Sequence, residues 1–163
     1  MSALPITRRH LLGGGLLLAG GWVYAQAFGH RGFPALDSPF LGTSGHHTLQ
    51  AALEALLPRP EDAVGMADDV DAFLAAGDPV LGGQLVLGLT VLEHTGGAGP
   101  FSFNRFSRLP IARRALVLEG WRRSILPPRR QIADALRRIA FFTLYARPSS
   151  WEAIGYDGPM VMR

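Results

Sequence analysis

The sequence predicts an all-α protein, about five helices packed as a single bundle-like domain after an N-terminal signal segment and an extended linker. Three observations carry that expectation. From residue 47 to residue 146 apolar side chains recur three and four residues apart, the period of a helix with one buried stripe. Proline and glycine cut this stretch into segments of helical length. Period-two alternation, which would mark strands, is almost absent. Setting aside residues 1–27 of the 163 leaves enough chain for one domain around one core.

The elements follow in order. Thr7-Arg8-Arg9-His10-Leu11-Leu12 places an arginine pair directly before an uncharged, Gly- and Leu-rich run, 11–23. Ala25-Gln26-Ala27 then offers small residues two apart, as signal peptidase requires. Residues 1–27 therefore read as a twin-arginine (Tat) export signal, with Arg8 and Arg9 as its determinants and Ala25 and Ala27 at the cleavage site. Thirteen apolar residues reach only about 20 Å as a helix, short of a bilayer core of about 30 Å. Cleavage and retention as a tether both remain open. Residues 28–45, rich in Gly, Pro and Ser, read as an extended linker, and 46–163 as the helical domain.

A first helix is expected over 47–57, with Leu49, Ala52, Leu53, Leu56 and Leu57 on one stripe and Pro58 and Pro60 ending it. A second is expected over 66–76, burying Val70, Phe73 and Leu74. Asp68, Asp69 and Asp71 would sit in its first turns and complement the helix dipole, and Gly77 would stop it. Asp78-Pro79 reads as an N-cap and first position opening a third helix to about His94, with Leu81, Leu85, Leu89 and Leu92 inward. Residues 102–107 read as a turn or 3₁₀ segment presenting Phe101, Phe103 and Phe106. Helices follow over 110–124 and 129–146. On the last, Ile132, Leu136, Ile139, Ala140 and Thr143 make the core stripe. Phe141 and Tyr145 face away among charges, where Asp134 is placed to pair with Arg130 and Arg138.

Charge is divided along the chain. Residues 28–98 hold nine acids and two arginines; residues 99–163 hold four acids and twelve arginines. The halves either complement each other or leave a charged docking surface. All sixteen basic residues are arginine, and there is no cysteine, which excludes disulfides, cysteine-ligated iron–sulfur clusters and C-x-x-C-H haem attachment on this chain.

Motifs that carry chemistry are sparse. His46 and His47 are adjacent rather than four apart, so they cannot share one helix face as a zinc pair, and they read as surface polar residues. The aspartates at 68, 69 and 71 lack calcium-loop spacing. Gly96-Gly97-x-Gly99 follows no strand, so no dinucleotide loop is expected. Arginine pairs at 113–114, 122–123, 129–130 and 137–138 spread around their helices instead of forming a stripe, so no nucleic-acid binding is expected. For a self-standing enzyme, the material is Glu93, His94 and the three aspartates.

Several marks together carry a family resemblance. They are the Tat-like start; Ala55-Leu56-Leu57-Pro58 followed by the acidic, glycine-containing Pro60–Gly65; the acidic amphipathic Val70–Leu74; Phe106-Ser107-Arg108-Leu109 before a helix bearing Arg113; and, most specific, Trp151-Glu152-Ala153-Ile154-Gly155-Tyr156-Asp157-Gly158-Pro159. Over residues 5–10 and 46–160 the chain resembles the gluconate 2-dehydrogenase subunit 3 family, the small subunits of membrane-associated, FAD-dependent sugar and alcohol dehydrogenases. The resemblance implies a non-catalytic subunit in the periplasm, associated with the membrane through its complex. FAD would be held by a glucose-methanol-choline type catalytic partner and no cofactor or metal by this chain. It further implies a multihaem cytochrome c as a possible third component and the Tat translocon as the export partner. Phe101, Phe103, Phe106, Phe141, Tyr145, Trp151 and Tyr156 are the expected partner contacts, since aromatics give large buried area at interfaces. Gly155 and Gly158 would allow a tight turn presenting Tyr156. The alternative is an envelope structural or binding protein unrelated to redox chemistry.

Overall fold

The computed structural model describes residues 38–77, 79–99 and 102–157. The signal residues Arg8, Arg9, Ala25 and Ala27, most of the linker, Asp78 and Phe101 lie outside them, as do the side chains of Leu81 and Phe103.

Among the described residues there are five α-helices: α1 (Gly42–Leu56), α2 (Ala63–Ala76), α3 (Pro79–Thr95), α4 (Ile111–Arg122) and α5 (Pro127–Ala146). The helix α1 is central and touches the other four. Its Leu49, Ala52 and Leu53 meet Met66, Ala67 and Val70 of α2, Leu89 and Leu92 of α3, Leu118 and Trp121 of α4, and Leu136 and Ala140 of α5 in one apolar core. Between α3 and α4 a two-residue antiparallel pair, β1 (Ala98–Gly99) with β2 (Ser102–Phe103), leads into a 3₁₀ turn at Phe106–Arg108. A Cβ at Gly97 would collide with the Asn104 carbonyl, so only glycine lets the two arms approach this closely. Among the described residues no helix is long and apolar enough to cross a membrane.

Several expectations need correction. The first helix starts at Gly42, inside the expected linker, because tertiary contacts hold a Gly-Thr-Ser-Gly stretch of poor helix propensity. Buried Asp71 accepts the Leu41 amide at 2.7 Å and the Phe40 amide at 3.3 Å, ordering the chain at the entrance to α1. Helix α2 starts at Ala63, after a 3₁₀ turn at Pro60–Asp62, so Asp68, Asp69 and Asp71 lie past its first turn and are not dipole partners. They tie elements together instead. Asp68 meets His46 Nε2 at 2.7 Å, Asp69 accepts from Arg147 at 2.6 Å, and Asp71 holds the start of α1.

His46 and His47 are buried rather than on the surface, since a central helix is covered on every side. Phe73 is 67 % exposed. It lies roughly 90° from the centre of the arc that α2 buries, while Val70 is inside. Asp134 forms no ion pair with Arg130 or Arg138 among the described residues. Arg130 donates instead to the Ser124 carbonyl at 2.6 Å.

Candidate partner-docking surface

Glu93 and the aspartates 68, 69 and 71 each bridge separate parts of the fold. Glu93, fully buried on α3, accepts from the Ser107 hydroxyl at 2.7 Å, the Ser107 amide at 3.0 Å and the Thr48 hydroxyl at 3.1 Å, with the Arg105 guanidinium 3.9 Å away. One carboxylate thus joins α1, α3 and the 3₁₀ turn. Beside it, burial and then the positive charge of Arg105 hold the His94 imidazole below its ordinary pKa; the nearby Glu93 charge offsets them only in part.

Arg114, in the first turn of α4, donates to the carbonyls of Leu109 at 2.7 Å and Ser107 at 3.0 Å and pairs with Glu54 of α1. The arginine that latches this helix is therefore Arg114; Arg113 is exposed. Among the described residues no three His, Asp or Glu side chains converge on a metal-binding position.

Among the described residues, one set of exposed large apolar side chains is centred on α5. Leu136, Ala140 and Thr143 face the core, and two further faces remain. On the first, Arg137 lies 5.3 Å over the ring of Phe141, which stacks on Tyr145 at 6.0 Å and 12°. The chain then turns through short 3₁₀ segments at Pro148–Ser150 and Glu152–Ile154. Trp151 Nε1 donates to the Tyr145 carbonyl at 2.8 Å, and its ring meets Tyr156 edge-on at 5.3 Å. Gly155, at φ +66°, makes the reversal that sets Tyr156 against Trp151, and the Tyr156 amide donates to the Trp151 carbonyl at 3.0 Å. Phe141, Tyr145, Trp151 and Tyr156, dispersed over sixteen residues of sequence, thus form an aromatic ladder of two ring pairs joined by the indole hydrogen bond. Phe141, Tyr145 and Tyr156 stay 39–46 % exposed within it, so the described segment 147–157 does not bury them.

The second face is a groove between α2, α3 and α5. Its upper part, about 600 Å³, is lined by Phe73, Leu74, Leu85, Ile139 and Phe142, with Arg138 and Arg147 at its edge. A neighbouring part of about 740 Å³ continues past Leu87, Val91 and Ile132 and shares Leu74, Leu85 and Ile139 with the first. Phe142 is 70 % exposed and Leu87 66 % exposed, and neither they nor Phe73 had been expected at a surface site. The signal was present in the Phe141-Phe142 pair. Adjacent helical residues point about 100° apart, so two phenylalanines beside a core stripe cannot both lie under one tail.

One expected contact is corrected. Phe106 is fully buried in the core, at the 3₁₀ turn between α3 and α4, and presents nothing to a partner. Comparison with known proteins returns no matching family model, no curated protein and no solved structure.

Proposed function

We propose that this chain is the non-catalytic small subunit of a periplasmic, FAD-dependent dehydrogenase of the glucose-methanol-choline type. In this reading it binds the folded flavoprotein in the cytoplasm and supplies the Tat signal on which both leave. FAD belongs to the partner, and no residue of this chain is assigned to it. A ligand that binds only the folded partner stabilises it by mass action, which is how the small subunit would protect its cargo before export. A multihaem cytochrome c is a possible third member.

The observation that supports this reading best is the exposed apolar surface on α5 and its neighbours. A ladder of Phe141, Tyr145, Trp151 and Tyr156 lies on one side and a groove carrying Phe73, Leu87 and Phe142 on the other. Contiguous apolar patches of this kind mark interaction sites. The buried carboxylates Asp71 and Glu93, by contrast, are bound to backbone amides and hydroxyls within the domain.

The test is a pull-down of the tagged full chain from its host, with mass spectrometry and a flavin spectrum of the eluate. A yellow complex containing a flavoprotein without its own leader is expected. Tyr145→Asp with Phe142→Asp should reduce recovery of that partner at least about tenfold while the helical circular dichroism is retained. A well-folded chain that emerges colourless and without a flavoprotein would reject the reading.

A further inference from the structure

The corner between α4 and α5 carries a feature that the partner-docking surface does not use. Its sequence, Arg122-Arg123-Ser124-Ile125-Leu126-Pro127-Pro128-Arg129-Arg130, places two apolar residues between two arginine pairs. In the fold Ile125 is 90 % exposed and Leu126 49 % exposed. The tip is held firmly. The Ser124 amide donates to the Trp121 carbonyl at 3.0 Å, and the Leu126 amide donates to the Ser124 hydroxyl at 3.2 Å. Arg130 ties the base of the corner to the Ser124 carbonyl, and Pro127 and Pro128 begin α5 with fixed φ. Arg129 lies 5.5 Å over the ring of Trp121, which is itself buried. Four guanidiniums thus flank the tip in sequence; Glu119 pairs with Arg122 and Arg123, and the Asp134 carboxylate also acts on Arg122.

We propose that this corner is a contact site for an anionic lipid surface. Ile125 and Leu126 would enter the headgroup–acyl boundary while Arg122, Arg123, Arg129 and Arg130 meet lipid phosphates. Shape and charge together favour this occupant. A protein partner buries an apolar anchor in a pocket of its own, whereas a convex tip ringed by cations fits a soft, flat, negatively charged plane. Arginine suits the ring because its planar fork donates to two phosphate oxygens at once and its stem can lie along apolar surface. Two apolar residues bind a bilayer only weakly without charge, so attachment should depend on anionic lipid and on ionic strength. This site adjoins the end of the proposed flavoprotein groove, which Pro128 lines, but Ile125, Leu126 and the four arginines are not part of that lining, and either proposal can fail without the other.

The chain has no cysteine, so a single introduced thiol can be labelled uniquely. Full-length Ile125→Cys, carrying an environment-sensitive fluorophore, is mixed with vesicles containing brominated acyl chains, made either with phosphatidylglycerol in phosphatidylcholine or with phosphatidylcholine alone. Glu61→Cys serves as the control label, beyond the C-terminal end of α1, against which the first turn rather than the last turn of α4 is docked. Quenching at position 125, absent at 61 and absent without phosphatidylglycerol, is expected. Arg123→Gln with Arg129→Gln should weaken it roughly 30-fold, about fivefold for each residue. Attachment through another part of the chain would bring the vesicle close without quenching position 125 above position 61. Equal quenching at both positions, no quenching, quenching indifferent to phosphatidylglycerol, or burial of the label by a protein alone would each overturn the proposal.

Discussion

At the scale of single residues, this fold is organised by carboxylates that act at a distance in sequence. Asp71 receives two amides from the entrance to α1, thirty residues earlier. Asp71→Ala would leave those amides unsatisfied and should cost about 2–3 kcal/mol, read as a lower urea midpoint with an unchanged slope. Asp71→Asn keeps an acceptor oxygen and should cost less. His94 makes a second, pH-dependent case. Its folded-state pKa lies below the ordinary value near 6.5, so as pH falls below about 6.5 the unfolded chain takes a proton that the folded chain refuses. Stability from this group is complete above that pH and declines as pH falls through the folded-state value. Urea midpoints between pH 7 and pH 5 should therefore drop less in His94→Gln than in the wild type; parallel profiles would reject this assignment. Neither role was legible in the sequence. Aspartates 68, 69 and 71 look like helix-start charges until the true start at Ala63 is known, and what a carboxylate binds thirty residues away leaves no local trace.

At the scale of helices, periodicity served best where one side faces water, though it set the exposed Phe73 of α2 inside, and failed where no side does. The stripe of α5 reads correctly from Leu136 to Thr143, and the proline breaks before α3 and α5 fall where the chain turns. The first half of α1 defeats the same logic. From Gly45 to Leu49 every residue is buried, so polar His46, His47 and Thr48 sit inside with apolar neighbours and break the stripe. The docking surface was half legible. Phe141, Tyr145, Trp151 and Tyr156 stood out as aromatics among charges, whereas the groove depends on how far α3 stands from α5, which no single segment encodes. Helix α4 ends in a charge fork that can be checked directly. Arg122 donates to both oxygens of Glu119 at 2.8 Å, and its hydrogen bonds, with the charges of Arg122 and Arg123, pull the carboxyl pKa down to about 2. Any stabilisation by this fork is therefore present above the ordinary value near 4.5 and lost only as pH falls through about 2. Carboxyl ¹³C shifts should leave Glu119 ionised at pH 4; a midpoint near 4.5 would contradict the pairing.

For the molecule as a whole, charge asymmetry resolves into specific bridges. Arg114 of the basic half meets Glu54 of the acidic half, Arg147 meets Asp69, and Arg105 lies beside Glu93. Four further arginines, two of them paired with Glu119, lie at the α4–α5 corner, where Ile125 protrudes. Cotransport makes a prediction at this scale. Arg8→Lys with Arg9→Lys should strand both this chain and the proposed flavoprotein partner in the cytoplasm, as scored by fractionation and immunoblot, and a partner that still reached the periplasm would defeat the idea of a shared signal. The central position of α1 has one more consequence, for biosynthesis. A nascent chain that has cleared the ribosome only as far as α3 has two of the four helices that cover α1, and the other two are made later. Closure of the domain must therefore wait until α5 has emerged. During that interval the oily flank of α1 is open to holding chaperones, and premature stop codons before α5 should yield protein that is degraded rather than a smaller working bundle.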